Sequence, residues 1–222
     1  HLEPGERAYA FGKVVYDGSP LVRQQKVTGA GKNWHEGGKG VTIGYGTIGE
    51  NMVRLYRVEP DGSLKQEGYY AAGSLHKQTV TDEDGNVAEL FVDREGRNVL
   101  SVSVDVTGRF ETYSVYDKFG LLRYVLSPEA SARVGTTESG TSKTIHDYAF
   151  YYEYDKWRRM VVKQLPGCDP VYMVYDKRDR LVMSQDGKQR SENAKKWCYS
   201  LYDHQNRVIE TGEVISAVTS RG

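Results

Sequence analysis

One block returns along this chain and sets what it can fold into: Tyr-Asp, a short polar link, Arg, then an apolar run. It reads "VYDKRDRLV" from Val174, "YEYDKWRRMVV" from Tyr152 and "LYDHQNRVIE" from Leu201. "FVDREGRNVL" from Phe91 has Val in place of Tyr, and "VYDKFGLLRYV" from Val115 is a looser copy. A catalytic group normally occurs once per domain, so a unit that recurs at irregular spacing points to architecture.

Aligned on Asp93, Asp117, Asp155, Asp176 and Asp203, the third residue onward is Gly96, Gly120, Arg158, Asp179 and Asn206. Gly, Asn and Asp tolerate left-handed backbone, which a three-residue hairpin loop requires after its type I turn. The leading Asp suits the first turn position, because its carboxylate can accept a backbone N–H two residues on. Arg158 departs from the pattern, so a different or strained loop is expected there. The loop implies a register in which Asp176 faces Arg180, Tyr175 faces Leu181, Val174 faces Val182 and Met173 faces Met183. The same count pairs Asp203 with Arg207, Tyr202 with Val208, Asp155 with Arg159, Tyr154 with Met160 and Asp93 with Arg97. Each acid–base or aromatic–aliphatic pair contributes roughly 0.2–1 kcal/mol, so most of the stability must come from buried rings. Met173, Tyr175, Leu181 and Met183 would share one face; Tyr172, Val174 and Val182 would share the other. Neither face is polar, so the sheet is expected to be covered on both sides or to curl around its contents.

The fold expected is all-β, an antiparallel, hairpin-rich sheet forming a curved or spiral segment. Further turn signals at "EPDGSL", "TDEDGN" and "SQDGKQ" place Asp-Gly between apolar runs, a hairpin cue. No amphipathic helix of ten or more residues is expected. Residues 1–80 form a Gly-rich β region in which Ser19 to Gly49 mixes loop with short strands, before a hairpin at Val53–Lys65. Residues 81–222 form the repeat region, with a mobile insertion near 128–146, most mobile around Thr136–Gly140. A single helical turn is expected near Lys143–Tyr148.

Thirty basic residues balance thirty acidic ones, which gives no electrostatic reason to expect nucleic acid or an anionic membrane as partner. No apolar run is long enough for a membrane-spanning helix. The opening "HLEPGERAYAFG" has neither an initiator Met nor an apolar signal core, and is read as the start of a segment cut from a longer protein. Cys168 and Cys198 are too few for a disulfide framework; one bridge between them stays open, and two buried free thiols are the favoured expectation. The five histidines lack ligand spacing. His35 and Glu36 lack an orienting partner for acid–base work. Asp82, Glu83 and Asp84 before Gly85 lack the later bidentate Glu of a calcium loop and read as a hairpin turn. "GAGKNWHEGGKG" is not a phosphate loop. No cofactor, no metal and no catalytic residue is therefore expected.

The Tyr-rich recurrence, together with "TDEDGN…FVDREGR" and "QLPGCDPVYMVYDKRDRLVMSQDG", resembles the YD repeat of the Rhs family over about Thr81 to Glu213. The earlier "YDGSPLVRQQKVTGAGKNW", "VRLYRVEPDGSL" and "GYYAAGSLHK" are similar to a domain that precedes such repeats in large bacterial surface proteins. The resemblance implies a β ribbon wound into a shell that often encloses a C-terminal toxin or effector, and an extracellular or cell-surface location. The partners it implies are further repeats of the same long chain and that cargo. The family's Asp-Pro autocleavage end is not found; Asp169–Pro170 lies inside a repeat. Two functions follow: a structural wall segment, or a carbohydrate-binding or cell-contact module. The second would use Trp34, Trp157 and Trp197 as stacking platforms, with Trp157 the best placed because it sits in a hairpin loop.

Overall fold

The computed structural model describes residues 9–134, 145–191 and 195–215. Its strands are β1 (Lys13–Tyr16), β2 (Gln24–Thr28), β3 (Val41–Thr47), β4 (Arg54–Val58), β5 (Leu64–Tyr69), β6 (His76–Thr81), β7 (Val87–Val92) and β8 (Asn98–Asp105). They continue as β9 (Gly108–Tyr116), β10 (Leu122–Leu126), β11 (Ala149–Tyr154), β12 (Met160–Gln164), β13 (Val171–Tyr175), β14 (Leu181–Gln185), β15 (Lys196–Tyr202) and β16 (Val208–Ile215). Three short helices, α1 (Lys32–His35), α2 (Pro128–Arg133) and α3 (Gly187–Ser191), interrupt them. Fourteen strands form one open antiparallel sheet in the order β1-β2-β3-β6 through β16, and β4 and β5 form a separate pair. The all-β, hairpin-rich expectation holds. β2, whose "QQKVT" has almost no apolar alternation, lies in the Ser19–Gly49 stretch expected to mix loop with short strands.

The chain forms two compact units, one of His1–Tyr56 with Gln66–Tyr113 and one of Arg57–Lys65 with Ser114–Gly222. Val80 lies within β6, inside the first of these.

In the first unit the chain leaves the sheet after β3 and returns at β6, where the Ile48 N–H donates to the Leu75 carbonyl at 3.3 Å. Ile48, Val53, Leu75, Phe91, Leu100 and Tyr113 are buried together with Tyr56, whose ring meets Tyr113 edge-on at 5.0 Å. Burial of such apolar area at about 25 cal/mol per Å² is the main stabilising term, and edge-to-face rings add to it. Charges near this core are paired. Glu89 accepts from Lys77 and from Arg109, the latter at 3.0 Å, and Arg54 lies 3.5 Å from Glu111. Burial pushes the Glu89 carboxyl up, but the two cations outweigh it and hold it below the usual range. On the other face, Val80, Ala88, Ser103 and Phe110 are rung neighbours, and Gln78, Leu90, Ser101 and Thr112 form the next row. They line an open groove of about 480 Å³.

In the second unit Tyr124, Leu126, Ala130, Ala149, Tyr151, Val162 and Trp197 are buried. Tyr124 packs on Tyr151 at 4.8 Å and its hydroxyl donates to the Gly62 carbonyl at 2.8 Å. The start of the expected mobile insertion is instead α2, with Ser127 accepting from the Ala130 N–H at 3.2 Å and Pro128 in the first turn. Buried Ala130 and Ser131 tie this helix down. A 3-10 turn occupies Ile145–Asp147, while Thr136–Gly140 and residues 143–144 lie outside the described residues.

Three local expectations change. First, "SQDGKQ" is not a hairpin turn: Asp186 caps α3, accepting the Gln189 N–H at 2.8 Å while Gln189 accepts the Asp186 N–H at 3.0 Å. That reciprocal pair is a capping box, and a Cβ on Gly187 would fall 2.3 Å from Asp169 Cβ, so the glycine is required. Second, the hairpins shift by one residue just after the first rung. Tyr175 does face Leu181, but Val174 faces Met183 and Met173 faces Ser184. Met183 thus shares a face with Val174 and not with Met173. The same shift follows Tyr154–Met160 and Tyr202–Val208. A β-bulge absorbs the extra twist that the type I plus left-handed loop imposes. Third, Cys168 and Cys198 are free but exposed, and Cys198 Sγ accepts from Gln189 Nε2 at 3.0 Å.

Candidate functional site

The recurring blocks form hairpin tips with one internal wiring. At Asp176, Oδ1 accepts the N–H groups of Arg178 (2.8 Å) and Arg180 (3.0 Å), and Oδ2 takes Arg180 Nε at 2.8 Å. Asp155 does the same with Trp157, Arg159 and the Arg159 side chain, at 2.8, 3.0 and 2.7 Å. Asp203 repeats it with Gln205, Arg207 and the Arg207 side chain, at 2.8, 2.9 and 2.7 Å. In the first unit Asp93 binds Glu95, Arg97 and the Arg97 side chain in the same way. The backbone closes each loop, with the Asp N–H donating to the Arg carbonyl. The residue three after each Asp is left-handed: Gly96 (φ 79°), Gly120 (76°), Arg158 (65°), Asp179 (59°) and Asn206 (63°). Arg158 therefore adopts the common loop, and the departure expected there is confined to the cost of a long side chain in that conformation.

Two tips of this kind escaped the block alignment. Asp82 holds the N–H groups of Asp84 and Asn86 and the Asn86 side chain, with Asn in the place of Arg. That use of the carboxylate accounts for the acidic run that superficially suits a calcium ion. Asp17 holds Arg23 across a longer loop, with Nε to Oδ2 at 2.8 Å. Tyr16-Asp17 was visible as a dipeptide, but Arg23 stands too far along to match the block.

Arg159 and Arg180 then each reach the next hairpin. Arg159 Nη1 donates to the Asp176 carbonyl at 2.9 Å and to Asp179 Oδ1 at 2.7 Å, and its guanidinium lies 5.1 Å from the Tyr175 ring centroid. Arg180 Nη1 donates to the Asp203 carbonyl and to Asn206 Oδ1, both at 3.2 Å, and lies 4.8 Å from the Tyr202 centroid. In the first unit Arg23 lies 4.6 Å from Tyr45 on the following sheet strand. The block thus divides its labour. At these two joints Asp holds its own Arg, Tyr offers its ring to the Arg before it, and the third residue, Asp179 or Asn206, supplies both the left-handed turn and an acceptor. Cation–π contacts and charge-assisted hydrogen bonds are each stronger than the neutral alternatives.

Five of the tip carboxylates, those of Asp17, Asp82, Asp155, Asp176 and Asp203, are held below the usual range. The Arg180 guanidinium and then its N–H hold Asp176 below the usual range, and the Arg207 N–H and guanidinium do the same for Asp203. Asp17 is held down to about 2, chiefly by the Ser19 hydroxyl. Their oxygens face inward on their own loops, at separate chain reversals, and converge on no shared cleft. Among the described residues no group of three or more His, Cys, Asp or Glu is placed to hold a metal ion. His35 Nε2 lies 2.9 Å from the Phe11 carbonyl, and Glu36 accepts from the Tyr9 hydroxyl and pairs with Lys32.

The three tryptophans are not brought together. Trp197 is 3% exposed on β15 and offers no ring face to a ligand, which removes it as a stacking platform: the sheet buries this position. Trp34 is half-buried on α1, its ring 3.2 Å from where a Gly29 Cβ would sit. Trp157 is 62% exposed at its tip, with Lys156 Nζ and the Arg159 guanidinium 4.2 and 4.7 Å from the ring.

No protein-family model matches the sequence, and no curated protein matches it. Among solved structures the fold is similar to the crystal structure of TcdB2-TccC3, with a TM-score of 0.58 at 13% identity. It is similar to TcdB2-TccC3-TEV and to the Tc holotoxin pore of Photorhabdus luminescens, each with a TM-score of 0.57 at 13% identity. Each match covers 94% of this chain and 9% of that chain, so this chain spans a small part of those polypeptides. Identity this low carries the fold alone, an Rhs-like β fold.

Proposed function

We propose that this chain is a non-catalytic wall segment of a larger Rhs-type bacterial protein, secreted or held at the cell surface. Its strands form part of a β shell around a toxin or effector. The observation that carries this reading is the tip wiring: the arginines at 159 and 180 serve the next hairpin, so these side chains are engaged in holding strand to strand. Similarity to components of Tc toxin assemblies supports a structural role. In this reading the partners are the remaining repeats of the same polypeptide and its cargo, and no cofactor takes part. Electron cryo-microscopy of the whole polypeptide tests it. Density with these strands built into the wall of a closed shell is expected; a free-standing domain outside any wall would refute the reading.

A second reading rests on Trp157. Its exposure suits a sugar platform, but the neighbouring Lys156 and Arg159 already cover part of the ring. A glycan array run with the parent chain and Trp157→Ala separates the two readings. Specific binding lost in the variant would favour carbohydrate recognition; the wall reading expects no such signal.

A further inference from the structure

Three neighbouring hairpin tips of the second unit present a row of cations, two of them with an aromatic ring at the apex. We propose that this rim docks on an anionic lipid surface. The tips, residues 117–120, 155–159 and 176–180, join β9 to β10, β11 to β12 and β13 to β14. Because neighbouring strands are antiparallel, all three point off the same end of the sheet. Successive tips stand two strands apart, roughly 10 Å, so the row spans roughly 20 Å.

Lys118, Lys156, Arg158, Lys177 and Arg178 are exposed on this rim, and among the described residues none of them makes an ion pair. The acids beside them are engaged within the tips. Asp155 and Asp179 pair with Arg159, Asp176 pairs with Arg180, and Asp117 lies 3.8 Å from Arg123. The following tip, with His204 and Gln205, adds no fixed charge. The rim is therefore strongly positive although the chain as a whole is balanced.

The rings decide which polyanion fits. Phe119 is 59% exposed and Trp157 is 62% exposed. A cation lies over each: Lys118 Nζ is 5.0 Å from the Phe119 centroid, and Lys156 Nζ is 4.2 Å from that of Trp157, which Arg159 also approaches at 4.7 Å. A nucleobase or a sugar stacks on a ring face and would have to displace these cations. A membrane interface accepts ring and cation side by side, the ring at headgroup level and the cation on lipid phosphate.

Arg158 supplies an independent observation. Its φ of 65° is left-handed, at a position where the tips at 96 and 120 use Gly. A residue with a Cβ costs stability there. Among the described residues the Arg158 side chain makes no hydrogen bond or ion pair in return. Strain that the fold does not use marks a side chain that acts outside it. The aspartate clamps and the Arg159 contacts already fix these tips, so little ordering is lost on docking.

This inference stands apart from the enclosure reading, because a wall segment presents its hairpin tips whether or not it surrounds cargo. It also stands apart from the sugar reading, which needs a free face on Trp157. Co-sedimentation of the 222-residue chain with vesicles of phosphatidylcholine alone, and of equal parts phosphatidylcholine and phosphatidylglycerol, tests it. Binding is expected to the anionic vesicles only, and should weaken as salt rises. Changing Lys177 and Arg178 together to Gln should weaken it about twentyfold, roughly fivefold for each cation lost at the surface. Lys188→Gln, at the opposite end of β14, should leave binding unchanged. Arg158→Gly should weaken vesicle binding about fivefold while raising the thermal midpoint. A merely structural arginine would not give those opposite effects. Trp157 emission should move to shorter wavelength on anionic vesicles, and Trp157→Phe should abolish that shift. Thermal melts of each variant establish that it is folded. Absence of binding, equal binding to neutral vesicles, or tighter binding to heparin or single-stranded RNA than to vesicles would overturn the proposal. Binding indifferent to Arg158→Gly and to the loss of Lys177 and Arg178 would overturn it as well.

Discussion

The carboxylate of a tip aspartate such as Asp176 accepts from two backbone N–H groups and a guanidinium, and its removal leaves all three without their acceptor. Asp176→Ala should therefore cost about 2–3 kcal/mol, as charged hydrogen bonds do when one partner is lost. Asp176→Asn keeps one carbonyl oxygen on the N–H groups and should cost less; urea unfolding of both checks the order. Arg158 offers the opposite experiment. Its φ of 65° disfavours any residue with a Cβ, and its side chain is exposed. Arg158→Gly should raise stability by about 1 kcal/mol in the same assay. At this scale the sequence was most legible. Gly, Asn and Asp at the left-handed position announce the turn chemically, and only the fifth, Arg158, had to be learned from the fold. The division of labour between Tyr and Asp was not legible, because the ring's partner lies in another repeat.

A hairpin of five-residue strands is marginal alone, and the stapling arginines show how these elements support one another. Arg159→Lys keeps the charge but loses the fork that reaches Asp155, the Asp176 carbonyl and Asp179 together. Hydrogen exchange measured by mass spectrometry should show the neighbouring tip, Asp176 to Arg180, opening about tenfold faster, with little change near Asp93. Equal protection in parent and variant would show that the inter-hairpin contacts carry no stability. Strand existence was readable at this scale from alternation and turns. Strand register was not: counting outward from a loop assumes a regular ladder, and the bulge after each first rung moves everything beyond it by one residue. "SQDGKQ" misled for a related reason. Asp-Gly cues a turn, but Gln189 three residues on converts that Asp into a helix cap, and the close approach of Asp169 fixes the choice.

Across the molecule, the tip carboxylates should make stability fall together in acid. Asp17, Asp82, Asp155, Asp176 and Asp203 all have folded pKa values below their ordinary 3.8. Folded chains thus bind fewer protons than unfolded ones between 3.8 and the folded values. The stabilisation is complete above that window and is lost as pH drops through it, toward about 2 for Asp17. Urea midpoints measured from neutral pH downward should be flat until near 4.5, the ordinary value of Glu89, and then decline, most through the aspartate window below 3.8 and more steeply in the parent than in an Asp176→Asn chain. What the sequence determined by itself was the hairpin: a local event, written in residues a few places apart, whose turn chemistry and alternation leave little choice. Only the tertiary structure decided which arginine lies on which tyrosine, that Trp197 is covered while Trp157 is not, and that Ala130 anchors a helix where a loop was expected. Those outcomes depend on which distant strands become neighbours, and the free energy of that choice comes from buried area and cross-strand contacts that no local stretch of sequence contains.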